Sequence, residues 1–191
     1  EHWVAEIDPE VTKAAAERMW VSTGAPIRPV HADARWLLQS LAEGTKFDII
    51  IGDAFKDLAV PQHLVTLEFS REIARRLTGD GFYALTVIDG RREPKFLLAM
   101  HRTLKEAFPA VQIWADVEQL VEGGRLTYIL TASRRAIAQP RILSVRFPGR
   151  HWVEVPPDQI AGKLSPADYP VLTDDFAPVD RLIGTVAAQS R

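Results

Sequence analysis

The sequence has 191 residues, of which 47% are hydrophobic and 25% are charged, as is typical of one globular domain. A formal net charge of −2, with arginines scattered along the chain, disfavours a nucleic-acid or anionic membrane partner, and neither is expected. No apolar run approaches the ~18 residues of a membrane span, no cysteine is present for a disulfide or zinc site, and the five histidines lack metal-ligand spacing, so we expect a cytoplasmic protein without a metal.

Strand and helix patterns alternate from the beginning of the chain. Asp8 and Pro9 are typical of the first turn of a helix, because aspartate caps helix N-termini and proline fits the first helical position. The second helix carries Trp36, Leu37 and Leu41 on one face, which we expect to be buried. The predicted strands are 2–7, 27–33, 46–53, 82–89, 110–116 and 125–133, and the predicted helices are 10–21, 34–44, 66–81 and 93–108.

This alternation predicts an α/β fold with an open, mostly parallel twisted sheet and helices on both faces, as in Rossmann-like folds. The last two strands are separated by residues 117–124 without a predicted helix, so one late strand is expected to be antiparallel. We expect a single domain over residues 1–191, in which residues 134–191 form an irregular C-terminal part with one possible strand at 142–147.

Acidic residues stand where the predicted strands end. Glu6 with Asp8 follows the first strand, and Asp33, Asp53 and Asp89 follow later strands. In open α/β sheets, ligands bind at the carboxyl ends of the strands, where a row of carboxylates suits ribose hydroxyls, an exocyclic amine or a cationic substrate. The alternative is that each acid forms a turn or caps the following helix.

Four segments, "VAEIDPEV", "HADARWLL", "FDIIIGDAFKDLAVPQHLVTLEF" and "LTDDFAPVD", resemble spermidine synthases in this order, most of all bacterial spermidine-synthase-like proteins that are often joined to a transporter-like membrane region. The resemblance implies the fold of S-adenosylmethionine-dependent methyltransferases and transfer of an aminopropyl group from decarboxylated S-adenosylmethionine to a small amine. It implies a co-substrate rather than a permanently bound cofactor, and a possible homodimer. The alternatives are an S-adenosylmethionine-dependent methyltransferase and a non-catalytic dimerisation or binding remnant of the fold.

The resemblance also implies roles for individual residues. Glu6 matches the acid that receives the ribose hydroxyls, and Asp33, with Ala34 beside it, matches the acid that accepts from the adenine amine. Asp53 matches the acid that holds the attacking amine and takes its proton. Asp57 and His63 are candidates for contacts with the substrate, although His63 is also interpretable as a surface loop residue.

The sequence departs from the family pattern at two places. Lys56 stands where the family has a second acid that grips the diamine, so we expect putrescine to be a poor acceptor. The glycine-rich loop that precedes the first of these strands in the family has no counterpart before Glu6. We therefore expect the natural protein to carry further N-terminal residues, the alternatives being that another chain fills the gap or that the flanking strands pair directly. The segment "LTDDFAPVD" is expected to cap a final helix at 179–189 or to help close the site.

Overall fold

The computed structural model describes residues 1–19, 26–54, 60–122, 124–139, 141–161 and 165–187. Within it the chain divides into two compact units, residues 1–45 and residues 46–191. The expectation of a single domain over the whole chain stays a prediction. Among the described residues, no helix is both long enough and apolar enough to cross a membrane.

The smaller unit contains two parallel strands, each followed by a helix. Asp8 caps the first helix and Pro9 begins it, as predicted. The strands pair in register, with Ala5 beside Val30, so their carboxyl ends lie at the same edge. The elements are β1 His2–Ala5, α1 Pro9–Arg18, β2 Ile27–Val30 and α2 Ala34–Ser40.

The predicted burial of Trp36 is wrong, because 61% of its side chain is exposed. Leu37 is the buried hydrophobic residue of this helix. Neighbouring residues of a helix point about 100° apart, so the orientation that buries Leu37 turns Trp36 outward. The helix also ends at Ser40 rather than at residue 44, and Leu41 is already extended.

The larger unit has six strands, which are β3 Phe47–Gly52, β4 Leu77–Gly90, β5 Ala110–Asp116, β6 Arg125–Ser133, β7 Arg141–Leu143 and β8 His151–Glu154. They form one sheet with the order β3-β4-β6-β5-β8-β7. The strands β3 and β4 are parallel, and the other neighbouring pairs are antiparallel. Two 3-10 helices, Gln62–Leu64 and Pro166–Asp168, lie in its loops. The helices of this unit are α3 Leu67–Arg76, α4 Lys95–Lys105, α5 Val117–Glu122, α6 Pro157–Ala161 and α7 Val179–Ala187.

The α/β class and the late antiparallel strand are confirmed, and the sheet of the larger unit, expected to be mostly parallel, is mixed, with one parallel and four antiparallel pairs. Both β4 and β5 are antiparallel to β6, and β3 is parallel to β4, so β3, β4 and β5 run in the same direction. Their carboxyl ends therefore lie at one edge of the sheet, which we call the carboxyl edge. The segment 117–124, predicted without a helix, contains α5, and the possible strand at 142–147 is replaced by the β7–β8 pair.

The core of the larger unit lies between one face of the sheet and the helices α3, α4 and α7. These helices contact β4, and α4 contacts both others. Alternate residues of β4 are buried, as expected for a strand covered on one face, and they include Tyr83, Leu85 and Val87. From Phe96 to Met100, α4 is 0–1% exposed, so this helix is the centre of the packing.

Candidate functional site

In the smaller unit, Glu6 and Asp33 lie at the carboxyl ends of β1 and β2. Oε1 of Glu6 accepts a hydrogen bond from the backbone N–H of Asp8 at 2.9 Å. Asp33 caps α2, because its Oδ1 accepts from the N–H groups of Arg35 and Trp36 at 2.9 and 3.0 Å. The register of β1 and β2 places Glu6 opposite residue 31, so both acids lie at the same edge.

The helix-capping interpretation is therefore confirmed for Asp8 and Asp33. Capping does not remove the capacity for a ligand, because an ionised carboxylate has about four acceptor positions. Glu6 and Asp33 are both half-buried, and Ala34 is the first residue of α2 beside them. This edge can accept hydrogen bonds from hydroxyl or amine groups of a ligand.

In the larger unit, Asp53 follows β3 directly, and both Asp53 and Ala54 are exposed. Among the described residues, no hydrogen bond of the Asp53 side chain is found. A turn-forming aspartate bonds to backbone N–H groups two or three residues later, and residues 55–59 lie outside the described part of the chain. The choice between turn and chemistry at Asp53 thus stays a prediction, and Lys56 and Asp57 also fall outside the described residues.

The residue before Asp53 is held by close packing. A Cβ atom at Gly52 would lie 2.3 Å from Oη of Tyr83 and 3.1 Å from Cδ1 of Leu85, closer than packed atoms allow. Only glycine therefore fits above the Tyr83 side chain. Tyr83 is 3% exposed, and burial raises its pKa above the ordinary value, so the phenol stays neutral. The strand end that carries Asp53 therefore packs against the buried Tyr83 ring.

Asp89, at the carboxyl end of β4, is fully buried and bonded to backbone. Its Oδ1 accepts from the N–H of Gly90 at 2.7 Å, and its Oδ2 accepts from the N–H of Leu97, in the first turn of α4, at 2.9 Å. Burial raises the pKa of Asp89 to about 6, against the lowering effects of these N–H groups, the Phe96 N–H and the charge of Arg125.

Two further polar groups are buried beside this end of β4. Oη of Tyr128 and Nε of Arg125 have no hydrogen-bond partner among the described residues. Burial and the nearby Asp89 carboxylate raise the pKa of Tyr128 to about 12. Gly52 pairs with Leu85, so Asp89 lies roughly 10 Å beyond Asp53 along the strand direction at about 3.3 Å per residue. Asp89 and Asp53 therefore do not share one hydrogen-bonded site.

The 3-10 helix that contains His63 borders a pocket that the sequence pattern did not predict. His63 is exposed. The pocket beside Gln62 has a volume of about 330 Å³, and its other walls come from the "LTDDFAPVD" segment and the start of α7, notably Asp175, Phe176 and Asp180. Among the described residues, no group of three or more potential ligands could hold a metal ion.

The "LTDDFAPVD" segment is fixed by backbone bonds of Leu172. The carbonyl of Leu172 accepts from the N–H of Leu67 at 2.7 Å, and its N–H donates to Oγ1 of Thr103 at 2.9 Å. Because α3 begins at Leu67, after β3, the segment lies near the carboxyl edge. Asp174 and Asp175 form a tight turn from Thr173 to Phe176, well before α7, so the expectation that they cap this helix is wrong.

Comparison with known proteins agrees with the resemblance seen in the sequence. No family model matches the chain. The chain is 33% identical over 79 residues to the polyamine aminopropyltransferase of Vibrio vulnificus (strain CMCP6), a match that covers 41% of this chain and 26% of that protein. Over these 79 residues the chain is similar to a polyamine aminopropyltransferase. It spans about a quarter of the length of this curated relative.

The fold of the chain is similar to that of solved structures of spermidine synthases and of a methyltransferase-like protein. A probable spermidine synthase from Corynebacterium glutamicum matches with a TM-score of 0.66 and 21% identity over 80% of this chain and 57% of its own. A spermidine synthase in complex with the transition state analogue AdoDATO matches with a TM-score of 0.58 and 21% identity over 70% and 46%. Human methyltransferase-like protein 13 in complex with SAH matches with a TM-score of 0.58 and 22% identity over 75% and 64%.

Proposed function

We propose that this spermidine-synthase-like chain performs aminopropyl transfer from decarboxylated S-adenosylmethionine to a small amine. The observation that carries the proposal is Asp53, an exposed carboxylate directly after β3 at the carboxyl edge of the sheet. The sequence match to a polyamine aminopropyltransferase supports it, as does the likeness to a spermidine synthase that binds a transition state analogue. A cytoplasmic location and a homodimer are parts of the same proposal.

The proposed reaction needs a base and no metal. The lone pair of a neutral amine attacks the aminopropyl carbon that is attached to the sulfonium of the donor. The bond between this carbon and the sulfur breaks, and its electron pair stays on the sulfur, so that the neutral thioether methylthioadenosine leaves. The amine becomes neutral before the attack by losing a proton to the Asp53 carboxylate, and the attack gives the product nitrogen in its positively charged, protonated form. An exposed carboxylate suits this role because it can first attract the protonated amine and then accept its proton.

Glu6 and Asp33 supply the donor site in this proposal. A carboxylate accepts two ribose hydroxyls well, and an acceptor at the adenine edge selects an amine over a carbonyl. We expect Glu6→Gln and Asp33→Asn each to weaken methylthioadenosine binding by ~1–3 kcal/mol in calorimetry, because each variant loses a charged acceptor. Thr12→Val in α1 is the control for a polar change in the same unit. Unchanged affinity in both acid variants would remove these residues from the site.

The acceptor is expected to be an amine other than putrescine. Lys56 repels a second ammonium group, while Asp57 and His63 are proposed to contact the amine. In an assay with a panel of mono- and diamines, Lys56→Asp should improve putrescine more than any monoamine. Efficient use of putrescine by the unmodified protein would show that Lys56 does not face the acceptor.

The central test is Asp53→Asn, with Asp80→Asn as the matched control. Asp80 belongs to β4 in the same unit, and its side chain is 91% exposed. Turnover of Asp53→Asn should fall by ~10²–10⁴, less at high pH where the amine deprotonates unaided, while donor binding is retained. The control should keep its turnover. Equal turnover of the Asp53 variant and the unmodified protein would make Asp53 a structural residue.

A methyltransferase is the second candidate, because a methyltransferase-like protein bound to SAH matches with the same TM-score as the spermidine synthase bound to AdoDATO. The donors distinguish the two reactions. Mass spectrometry should find methylthioadenosine with the decarboxylated donor if aminopropyl transfer is correct, and S-adenosylhomocysteine with S-adenosylmethionine if methyl transfer is correct. Binding of a nucleoside without either product would support a non-catalytic binding protein.

A further inference from the structure

Positive charge is concentrated in one part of the chain. The 31 residues between Glu122 and Glu154 include no acidic residue, although the whole chain has a formal net charge of −2. This segment therefore differs in sign from the rest of the protein. It contains six arginines, which are Arg125, Arg134, Arg135, Arg141, Arg146 and Arg150.

Part of this segment folds into an ordered hairpin, residues 141–154, which we call the basic hairpin. Its strands β7 and β8 pair from Arg141 beside Val153 to Leu143 beside His151. The tip is closed by hydrogen bonds from the Ser144 N–H to the Arg150 carbonyl at 3.0 Å and from the Arg150 N–H to the Phe147 carbonyl at 3.1 Å. Gly149 has φ +96°, a value that favours glycine.

The basic hairpin projects at the carboxyl edge. Because β7 and β5 are both antiparallel to β8, β7 runs in the direction of β5 and its tip follows the carboxyl end. Arg150 anchors the tip: its Nε donates to Oδ2 of Asp116, the last residue of β5, at 2.8 Å. Asp116 is 1% exposed, so the charge of Arg150 is already neutralised by a buried carboxylate.

The rest of the tip presents apolar and basic side chains to solvent. Val145 is 101% exposed, Leu143 68% and Phe147 54%. Arg141 and Arg146 are exposed beside them, and the Arg146 guanidinium lies 5.7 Å from the centre of the Phe147 ring. Isolated exposed apolar residues are ordinary, but a group of them on an ordered tip flanked by arginines indicates an interaction surface.

We propose that the basic hairpin binds an anionic lipid surface. Val145 and Phe147 enter the boundary between headgroups and acyl chains, and Arg141 and Arg146 bind lipid phosphates. Interfacial membrane segments combine apolar side chains with arginine or lysine in this way, and each basic residue adds attraction to an anionic leaflet. This contact would hold the carboxyl edge, with Asp53, near the membrane surface.

Charge and apolarity together favour lipid over other occupants. A nucleic acid would match the arginines but offers no apolar environment for Val145 and Leu143. A second copy of the chain would place the same arginines against each other if it paired along β7, and like charges opposite one another are destabilising. An acidic protein surface is poor in the apolar area that the tip presents.

The test is sedimentation of the 191-residue chain with vesicles of phosphatidylcholine alone and of phosphatidylcholine with phosphatidylglycerol. We expect binding to the anionic vesicles only, reduced by salt. Arg141→Gln with Arg146→Gln should weaken it about 25-fold, at roughly fivefold per arginine. Val145→Ser with Phe147→Ser should weaken it by ~10-fold or more. Arg71→Gln with Arg134→Gln, which removes the same charge from two exposed positions outside the basic hairpin, should leave binding unchanged.

Each contrary result overturns the proposal. Absence of sedimentation with anionic vesicles at low salt would exclude the lipid surface, provided circular dichroism shows a folded chain. Equal loss in the hairpin and control variants would reduce the effect to net charge. Size-exclusion chromatography in which Val145→Ser with Phe147→Ser converts an oligomer to a monomer, without vesicle binding by either form, would assign the tip to a second copy. Fluorescence anisotropy that detects duplex DNA binding lost in the arginine variant, again without vesicle binding, would assign it to nucleic acid.

Discussion

Burial of Asp89 makes the stability of the larger unit depend on pH in a direction that can be worked out. Burial raises the pKa of this carboxyl from 3.8 to about 6, so the folded state binds the proton more tightly than the unfolded state. The contribution of Asp89 to the free energy of unfolding should therefore be highest below pH 4 and fall as the pH rises to 6, with little further change above. The difference corresponds to about 3 kcal/mol at 1.36 kcal/mol per pH unit.

The variant Asp89→Asn removes the titration and keeps the shape of the side chain. At pH 4 it should be less stable than the unmodified chain by ~1–2 kcal/mol, because the amide nitrogen replaces one of the two oxygens that accept from the Gly90 and Leu97 N–H groups and cannot itself accept a hydrogen bond. From pH 4 to pH 7 the variant should gain about 2 kcal/mol relative to the unmodified chain, since only the latter ionises a buried carboxyl. The control Asp80→Asn, at an exposed position, should show no such trend.

Urea unfolding at pH 4, 5, 6 and 7, followed by tryptophan fluorescence, measures these differences. Trp114 is 1% exposed and reports on the core of the larger unit. A stability difference between Asp89→Asn and the unmodified chain that stays constant from pH 4 to pH 7 would refute the reasoning. It would mean that the two N–H donors and Arg125 offset burial completely.

Two further predictions concern packing and charge in the larger unit. Gly52→Ala should lower the free energy of unfolding in urea by ~1–3 kcal/mol, because its methyl group would overlap the Tyr83 hydroxyl. Adding Tyr83→Phe should recover part of this loss. An unchanged stability of Gly52→Ala would show that the Tyr83 ring moves freely. The buried Glu72 pairs with both Arg75 and Arg76, of which only Arg76 is buried. Arg76→Met should cost ~1–3 kcal/mol because Glu72 loses its buried partner, whereas Arg75→Met, at a side chain that is 70% exposed, should cost less than ~1 kcal/mol; equal losses would contradict this assignment.

The elements that the sequence predicted well are those whose local chemistry and hydrophobic pattern agree. Asp8 and Pro9 mark the start of α1, and the buried alternation of β4 and β6 appears as alternating apolar residues. Order along the chain then gives the α/β class, because strand–helix–strand units have a preferred connection. The late antiparallel strand followed from the short separation of β5 and β6.

Predictions failed where local pattern and tertiary context diverge. Tryptophan is usually a core residue, but the short helix α2 is oriented so that Leu37 is buried and Trp36 is exposed. The β7–β8 hairpin was not predicted because its residues alternate weakly and depend on pairing with β5. The arginines of the hairpin look scattered in the sequence, because a net charge averages over the chain and does not show which side chains a hairpin presents together.

The candidate site was predicted as a row of acids, and their environments were not. A carboxylate after a strand has the same sequence pattern whether it caps a helix, anchors an arginine or faces a ligand. Gly52 shows a similar limit: glycine before Asp53 suggests a flexible backbone, whereas the structure requires it because the Tyr83 ring lies against the strand. Contacts between residues 31 positions apart are not visible in a local pattern.

At the carboxyl edge of the larger unit, the environments of the carboxylates distinguish three aspartates from one another. Three strands of one direction end there in aspartate: Asp53 after β3, Asp89 on β4 and Asp116 on β5. Asp89 and Asp116 are 0% and 1% exposed, and their oxygens are engaged by backbone N–H groups and Arg150. A buried carboxylate whose oxygens are already bonded cannot take a proton from a substrate without breaking those bonds. Asp53 is exposed, so of the three it is the one that a ligand can reach.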